Sequence, residues 1–364
     1  MSVSYTWVGW NRQKRIYDVV MVSSAALFIA LFIVVARAVE PPGQGLSDVQ
    51  LLIRALGVAA IVLLHIILCI GPLARFDRRL LPLLYNRRHL GVFTFFVALA
   101  HASLSLIWYH GFGNVASPVS LLQSNTNFRS ISQFPFELLG LLALIILFLM
   151  AATSHDFWLK NLSPRVWKSL HMLVYVAYAA LVLHVALGVL QHETSPVLAA
   201  ALGLGVLLVG SLHLTAGWCE SLRDTPLNIE STNDDARADA WVDVGAVDQI
   251  PNERGRVVCL RDPAGGHAER IAVFKYDGKV SAVSNVCEHQ GGPLGEGKIV
   301  AGCITCPWHG YQYLPGSGQS PPPFTEKIKT YQVRIESRRV LVNPRALPPG
   351  TPVPPALIPE VADA

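Results

Sequence analysis

The chain reads Cys287-Glu288-His289-Gln290-Gly291-Gly292-Pro293-Leu294 and, with sixteen residues between His289 and Cys306, Cys306-Pro307-Trp308-His309-Gly310. Each run supplies one thiolate and one imidazole. Two thiolates on one iron and two neutral imidazoles on the other complete a [2Fe–2S] site, and exchanging two thiolates for imidazoles raises the potential above that of an all-cysteine ferredoxin. Gly291, Gly292, Gly295 and Gly310 suit tight ligand loops in which backbone amides approach the sulfurs, and Pro307 suits a rigid turn. Zinc is the competing reading, because it also accepts two Cys and two His. Zinc fingers, however, pair Cys with Cys and His with His, whereas each loop here brings one of each.

With Gly-Gly-Pro-Leu behind the first loop and Cys-Pro-Trp-His-Gly in the second, this region resembles the Rieske iron–sulfur family. The resemblance implies Cys287, His289, Cys306 and His309 as metal ligands. It also implies a small antiparallel β domain that shows the ligand loops at one tip, with the histidines exposed to an electron partner. Rieske proteins of the quinol-oxidising cytochrome complexes carry two further cysteines in a disulfide. Gly292 and Trp308 stand at those places, which suits a reducing cytosol. Tyr311 stands where those complexes have a serine, and Tyr313 where they have a tyrosine. The domain therefore resembles the ferredoxin or oxygenase type, of lower potential. Cys303 is read as an ordinary small residue, since Cys306 is spent on iron. An oxygenase also needs a mononuclear iron on two His and a carboxylate. The soluble region offers only His267, His289 and His309, so that reading fails unless a partner chain supplies the iron.

The flanks predict strands at Trp241–Val247, Arg256–Leu260, Arg270–Tyr276, Lys279–Val283, Tyr331–Ile335 and Arg339–Val342. They are short, β-branched or alternating, and separated by turn residues such as Asp277-Gly278. This β-rich domain occupies residues 239–346. A polar linker (219–238) precedes it, and a Pro-rich segment (347–364), expected to be an extended tail, follows it.

Further out the composition changes. Of the 364 residues, 52 % are hydrophobic and 15 % charged, against about 25 % charged in ordinary globular chains. That excludes a disordered chain, and six cysteines are too few for a disulfide scaffold. The net charge of +4 gives no case for nucleic acid. Residues 17–218 hold six apolar stretches, each able to cross a hydrocarbon core that needs roughly 20 residues: Tyr17–Val39, Leu51–Leu73, His89–His110, Phe136–Met150 with its flanks, Trp167–Leu190 and Pro196–Trp218. The first is too long for a cleaved signal peptide. Arg12, Lys14 and Arg15 precede the first span, within an N-terminal segment of residues 1–16. Arg75, Arg78, Arg79, Arg87 and Arg88 fill the second loop, and Lys160, Arg165 and Lys168 the fourth. By the positive-inside rule these lie in the cytoplasm. The expectation is a multi-pass inner-membrane (cell-membrane) protein, a six-helix transmembrane bundle plus a small all-β domain, with both termini and the β domain cytoplasmic.

Histidines within spans are costly and functional by default. His101 lies in the third span, and His171 and His184 in the fifth. Thirteen steps at 1.5 Å separate the last two by about 20 Å along a helix, which places them at two depths of the bilayer. The Arg87-Arg88-His89-Leu90-Gly91 start of the third span, His101 after it and the His171/His184 pair resemble the ferric reductase-like transmembrane family over residues 50–218. The resemblance implies b-type heme, one or two, on His101, His184, His171 and His89, with His65 or His213 as other partners for His171. His65 and His213 can equally be read as interhelical hydrogen-bonding residues, and Gly203-Leu204-Gly205 as a helix-packing element.

That family's flavin and nicotinamide module is replaced here by the Rieske-like domain. The expected function is transmembrane electron transfer between a cytoplasmic [2Fe–2S] cluster and membrane heme b, delivering electrons to an outer-side acceptor. The expected partners are membrane lipid, a cytoplasmic reductase or quinol as donor, and no nucleic acid. A terminal ferric or oxygen reductase, and a non-redox membrane protein with a zinc-binding domain, are the alternatives.

Overall fold

The computed structural model describes residues 12–39, 45–131, 133–154, 158, 162, 164–193, 195–223, 227–228, 241–261, 269–289, 291–307, 310–322 and 324–359. Two compact units form, one within residues 10–216 and one within 217–364.

The first unit is helical: α1 (Arg12–Val39), α2 (Asp48–Phe76), α3 (Leu81–His110), α4 (Ser117–Gln123), α5 (Phe136–Thr153), α6 (Pro164–Met172), α7 (Val174–Leu187) and α8 (Pro196–Arg223). Among the described residues six spans are long and apolar enough to cross a membrane, and α6 and α7 together make the fifth. All six expected spans are present, several with an added turn. Helices satisfy their own backbone polar groups, which lipid requires. Ser47 caps α2 in a reciprocal arrangement with Gln50. Large apolar side chains such as Phe96, Leu204 and Leu207 lie exposed on the unit's outside, where lipid replaces water as the neighbour. Small residues sit at the contact of α5 with α7: Ala143, Ala177 and Ala180 are buried together with Ile146.

The second unit is a β domain. A nine-stranded sheet runs β12-β5-β4-β3-β6-β7-β8, with β1 on β3 and β9 on β5, and a three-stranded sheet runs β10-β11-β2. The central strands are β3 (Arg254–Arg261), β4 (Glu269–Tyr276) and β5 (Lys279–Ser284). Shorter ones are β1 (Leu227–Asn228), β6 (Lys298–Val300), β7 (Cys303–Thr305), β8 (Gln312–Tyr313), β9 (Thr330–Tyr331) and β12 (Ala356–Leu357), and β2 (Val242–Ala246), β10 (Val333–Glu336) and β11 (Arg339–Val342) form the small sheet. Among the described strands every pairing is antiparallel except β1 with β3. β4 explains the layering. Its Ile271 and Val273 pack with Val244, Val340 and Val342 of the small sheet. The alternate residues Ala272, Phe274 and Tyr276 pack with Leu294, Ile304 and Ile328 in a second core. A strand buried on both faces reads as a continuous apolar run, as Ile271–Phe274 does.

The Pro-rich segment is extended, as expected, but it is not a separate tail through residue 359. Its non-proline residues donate to the domain: Leu347 N–H to Thr330, Gly350 N–H to Ile328, Val353 N–H to Gly316 and Ile358 N–H to Gly278, at 2.7–3.0 Å. Ala356 and Leu357 pair with Val280 and Lys279, covering the edge of β5. A chain truncated after Ala346 is expected to lose its visible cluster absorbance at a lower temperature than the full chain, by about 4–8 °C for each kcal/mol removed. An unchanged melting curve would show that the segment contributes nothing to stability.

Candidate metal centre and heme site

The two Cys loops of the β domain have the same backbone construction. Cys287 N–H donates to the Gly292 carbonyl (2.9 Å) and Gly291 N–H returns to Cys287 (2.6 Å). Cys306 N–H donates to the Tyr311 carbonyl (2.8 Å) and Gly310 N–H returns to Cys306 (3.0 Å). In both loops the bonds run from Cys to the fifth residue on and from the fourth residue back. The fourth residue must be glycine-like: Gly291 has φ +73° and Gly310 φ +72°. Both cysteines are 1 % exposed and belong to one packed cluster with Tyr311, Tyr313 and Leu294. Asn285 fastens the far end of the first loop by accepting from Gly295 N–H at 2.7 Å.

Tyr313 links the loops. Its hydroxyl lies 3.4 Å from Cys287 Sγ and accepts from the His289 backbone N–H at 3.3 Å. Burial, and then the charge on Cys287, push the phenol well above its ordinary range, so it stays protonated and donates to sulfur. Tyr311 stacks on His289 with ring centroids 4.4 Å apart and planes 9° from parallel. Its hydroxyl donates to the Glu326 carboxylate. His289 is therefore half-buried rather than fully exposed. Cys303 is a buried strand residue, and burial raises its thiol. All six cysteines are free of disulfides. His309, Trp308, Gln290 and His267 lie outside the described residues. Among the described residues no three His, Cys, Asp or Glu side chains converge as a complete metal site. The loop pair, its buried sulfurs and the sulfur-directed hydroxyl fit the donor set of a Cys/His cluster.

In the helical unit the structure brings His101 of α3 and His184 of α7 together, edge toward face. Their ring centroids are 6.5 Å apart and the planes cross at 82°. His101 Nδ1–H donates to the Ile53 carbonyl at 2.9 Å, and His184 Nδ1–H to the Phe136 carbonyl at 2.8 Å. Both rings are thereby held in the tautomer whose Nε2 lone pair ligates. Each also lies in a cradle that a Cβ would fill: one added at Gly57 would stand 2.9 Å from His101 Cε1, and one at Gly140 2.8 Å from His184 Cε1. These residues fit an axial pair for heme.

The other histidines differ. His171 bonds the Trp167 carbonyl through Nδ1 at 3.0 Å and stacks on the Trp167 ring at 3.7 Å. His89 Nδ1 donates to Asp18 of α1 at 2.9 Å. His213 bonds the Val209 carbonyl and meets Tyr175 edge-on. His65 uses both nitrogens, Nδ1 to Ile61 and Nε2 to the Tyr178 hydroxyl, so it is an interhelical hydrogen-bonding residue. Gly205 makes room for its ring, whereas Gly203 faces open space. Sequence reasoning did not single out Ile53, Gly57, Phe136, Gly140, Asp18 or Glu326. A glycine inside an apolar span signals close approach, but nothing in the sequence names what approaches.

Paired imidazoles in an apolar bundle, on one chain with matched Cys loops in a β domain, define a membrane redox protein. The model of the ferric reductase like transmembrane component matches residues 56–182, and that of the Rieske [2Fe-2S] domain residues 240–332. The chain is 30 % identical over 164 residues, 45 % of its own length and 69 % of the relative's, to the protein-methionine-sulfoxide reductase heme-binding subunit MsrQ of Brucella ovis, and equally to that of Brucella abortus. Among solved structures it is similar to a complex of reduced oxygenase and oxidised ferredoxin in carbazole 1,9a-dioxygenase (24 % identity, 30 % of this chain, 96 % of that one, TM-score 0.27). It is also similar to a Sphingomonas yanoikuyae B1 ferredoxin (26 % identity, 29 % of this chain, 99 % of that one, TM-score 0.25). The chain belongs to the ferric reductase-like, MsrQ-type family of heme-binding membrane subunits, and it carries a Rieske [2Fe–2S] domain on the same polypeptide.

Tyr313→Phe removes a hydrogen bond to sulfur that stabilises the more negative, reduced cluster. The midpoint potential is expected to fall by the worth of one such bond, about 1 kcal/mol or roughly 40 mV for one electron. Redox titration followed by EPR measures it, and a potential that stays put or rises would contradict this role of the hydroxyl.

Proposed function

We propose that the chain carries single electrons across a membrane. A [2Fe–2S] cluster held by Cys287, His289, Cys306 and His309 lies on the cytoplasmic side, b-type heme lies in the bundle, and an acceptor on the outer side collects the electrons. The reading is supported above all by the facing imidazoles of His101 and His184, set in apolar helices with their tautomers fixed. A Rieske cluster and a bis-imidazole heme, when bound, each take up and release one electron without making or breaking a substrate bond.

The residues hold, orient and dry the two sites. Buried Cys287 and Cys306 keep water from the sulfurs, and Tyr313 supplies a donor where negative charge grows. His101 and His184 each spend Nδ1–H on a carbonyl, which leaves Nε2 as the ligating atom. The basic residues Arg12, Lys14, Arg15, Arg75, Arg78, Arg79 and Arg88 support an inner-membrane orientation with both termini and the β domain in the cytoplasm. His101 and His184 then lie toward the outer face and His171 toward the inner. A second heme on His171 would draw its other ligand from His89 or His213. The donor is a cytoplasmic reductase or quinol. The relatives' naming as heme-binding subunits of a reductase supports a role in delivering electrons onward.

The test is low-temperature EPR of the purified protein, as isolated and after dithionite. Low-spin heme signals at first and a Rieske-type signal on reduction are expected. His184→Ala is expected to remove most absorbance of the heme it ligates while the cluster signal stays at full intensity. A variant with undiminished heme content would sink the ligand assignment. A silent spectrum with zinc in elemental analysis would end the redox reading.

A further inference from the structure

The two proposed ligands dock on the same backbone device, five residues long, in two different helices. His101 donates to the carbonyl of Ile53 and lies against Gly57. His184 donates to the carbonyl of Phe136 and lies against Gly140. Residues i and i+4 are one turn apart on the same helix face, and the carbonyl of residue i already accepts the N–H of residue i+4. A side chain at i+4 stands over the flank of that carbonyl. Glycine there uncovers the second lone pair, so a ring from the facing helix can reach it. The spacing is tight: the added Cβ would lie 2.9 Å from Cε1 and 3.0 Å from Nδ1 of His101, and 2.8 Å from both atoms of His184. On the second helix the dock is pinned from outside, because Asn125 donates to Glu137 at 2.6 Å, one residue beyond Phe136.

We propose that Gly57 and Gly140, each with the carbonyl one turn before it, are positioning residues that set the planes of the axial imidazoles nearly perpendicular, and so fix the electronic ground state of the heme. This rests on the assignment of His101 and His184 to one heme. Each imidazole donates π density into the iron d orbital normal to its own plane. Coplanar rings raise one orbital and separate it from its partner, which gives a rhombic low-spin signal. Crossed rings raise both alike and leave them nearly degenerate, which gives a strongly anisotropic signal with a large maximum g. At 82° the crossed limit applies. A ring anchored at its Nδ1–H by a fixed carbonyl and flanked by bare backbone has little freedom to turn.

The experiment is EPR of the ferric full-length protein, with a redox titration of the heme. The wild type is expected to show the strongly anisotropic signal. Gly57→Ala and Gly140→Ala are expected to move its maximum g toward the rhombic range and to shift the heme midpoint. Gly203→Ala, at a position with open space around it, is expected to leave both unchanged. A rhombic wild-type signal overturns the crossed arrangement, whether or not the alanine variants assemble. Unchanged spectra and midpoints in both alanine variants overturn the role of the glycines. Absence of low-spin heme from the wild type would instead overturn the ligand assignment beneath the proposal.

Discussion

The hydrogen bond from His101 Nδ1 to the Ile53 carbonyl, repeated from His184 to Phe136, is the interaction on which the helical unit turns. An imidazole in a low-dielectric interior is tolerated when it is neutral and its N–H is satisfied. In a helix the carbonyls are spoken for, so a ring from elsewhere reaches one only where the helix is stripped of a Cβ. The requirement explains why a glycine stands against each of the two histidines, and it suits the packing of α5 and α7 through alanines. His171 and His213 meet the same demand more simply, through the carbonyl four residues earlier in their own helices. That solution fixes a tautomer through the ring's own helix, and a link to a second helix then runs through the other nitrogen, as from His65 to Tyr178.

The β domain solves the opposite problem. Its sulfurs carry negative charge and need donors, while its core must stay apolar. β4, buried on both faces, separates the two tasks: one face builds the sandwich with the small sheet, and the other carries Phe274 and Tyr276 under the Cys loops. The loops are each closed by their own backbone, so the ligand geometry depends little on strand length. This is why β6, β7 and β8 can be only two or three residues long.

Much of this was legible in the sequence. The six spans stand out because lipid demands long apolar helices, and the strands Arg270–Tyr276 and Lys279–Val283 because β-branched runs with an Asp-Gly turn have few other solutions. The Cys-x-His and Cys-x-x-His loops are legible because their chemistry is local. The missed strands fall where pattern carries no information: Cys303–Thr305 and Gln312–Tyr313 are too short to show a period. The docking of the Pro-rich segment was hidden for a different reason. Prolines lack donors, yet the residues between them donate to carbonyls that only the finished sheet presents. Gly57 and Gly140 were in plain view without meaning, since their partners lie 44 residues away in the chain in each case.

The two sites are also tuned with opposite sign. A carbonyl that accepts from an imidazole N–H makes that ligand more basic and favours the oxidised, more positive iron. A hydroxyl that donates to a thiolate favours the reduced, more negative cluster. Both rings of the helical pair donate to carbonyls, and Cys287 has a phenol hydroxyl beside its sulfur. Neutral carbonyls, rather than carboxylates, keep the first effect moderate, and Asp18 on His89 is the contrasting case within the same unit. Each device is a single hydrogen bond, to a fixed backbone carbonyl in the helical pair and from one phenol at Cys287.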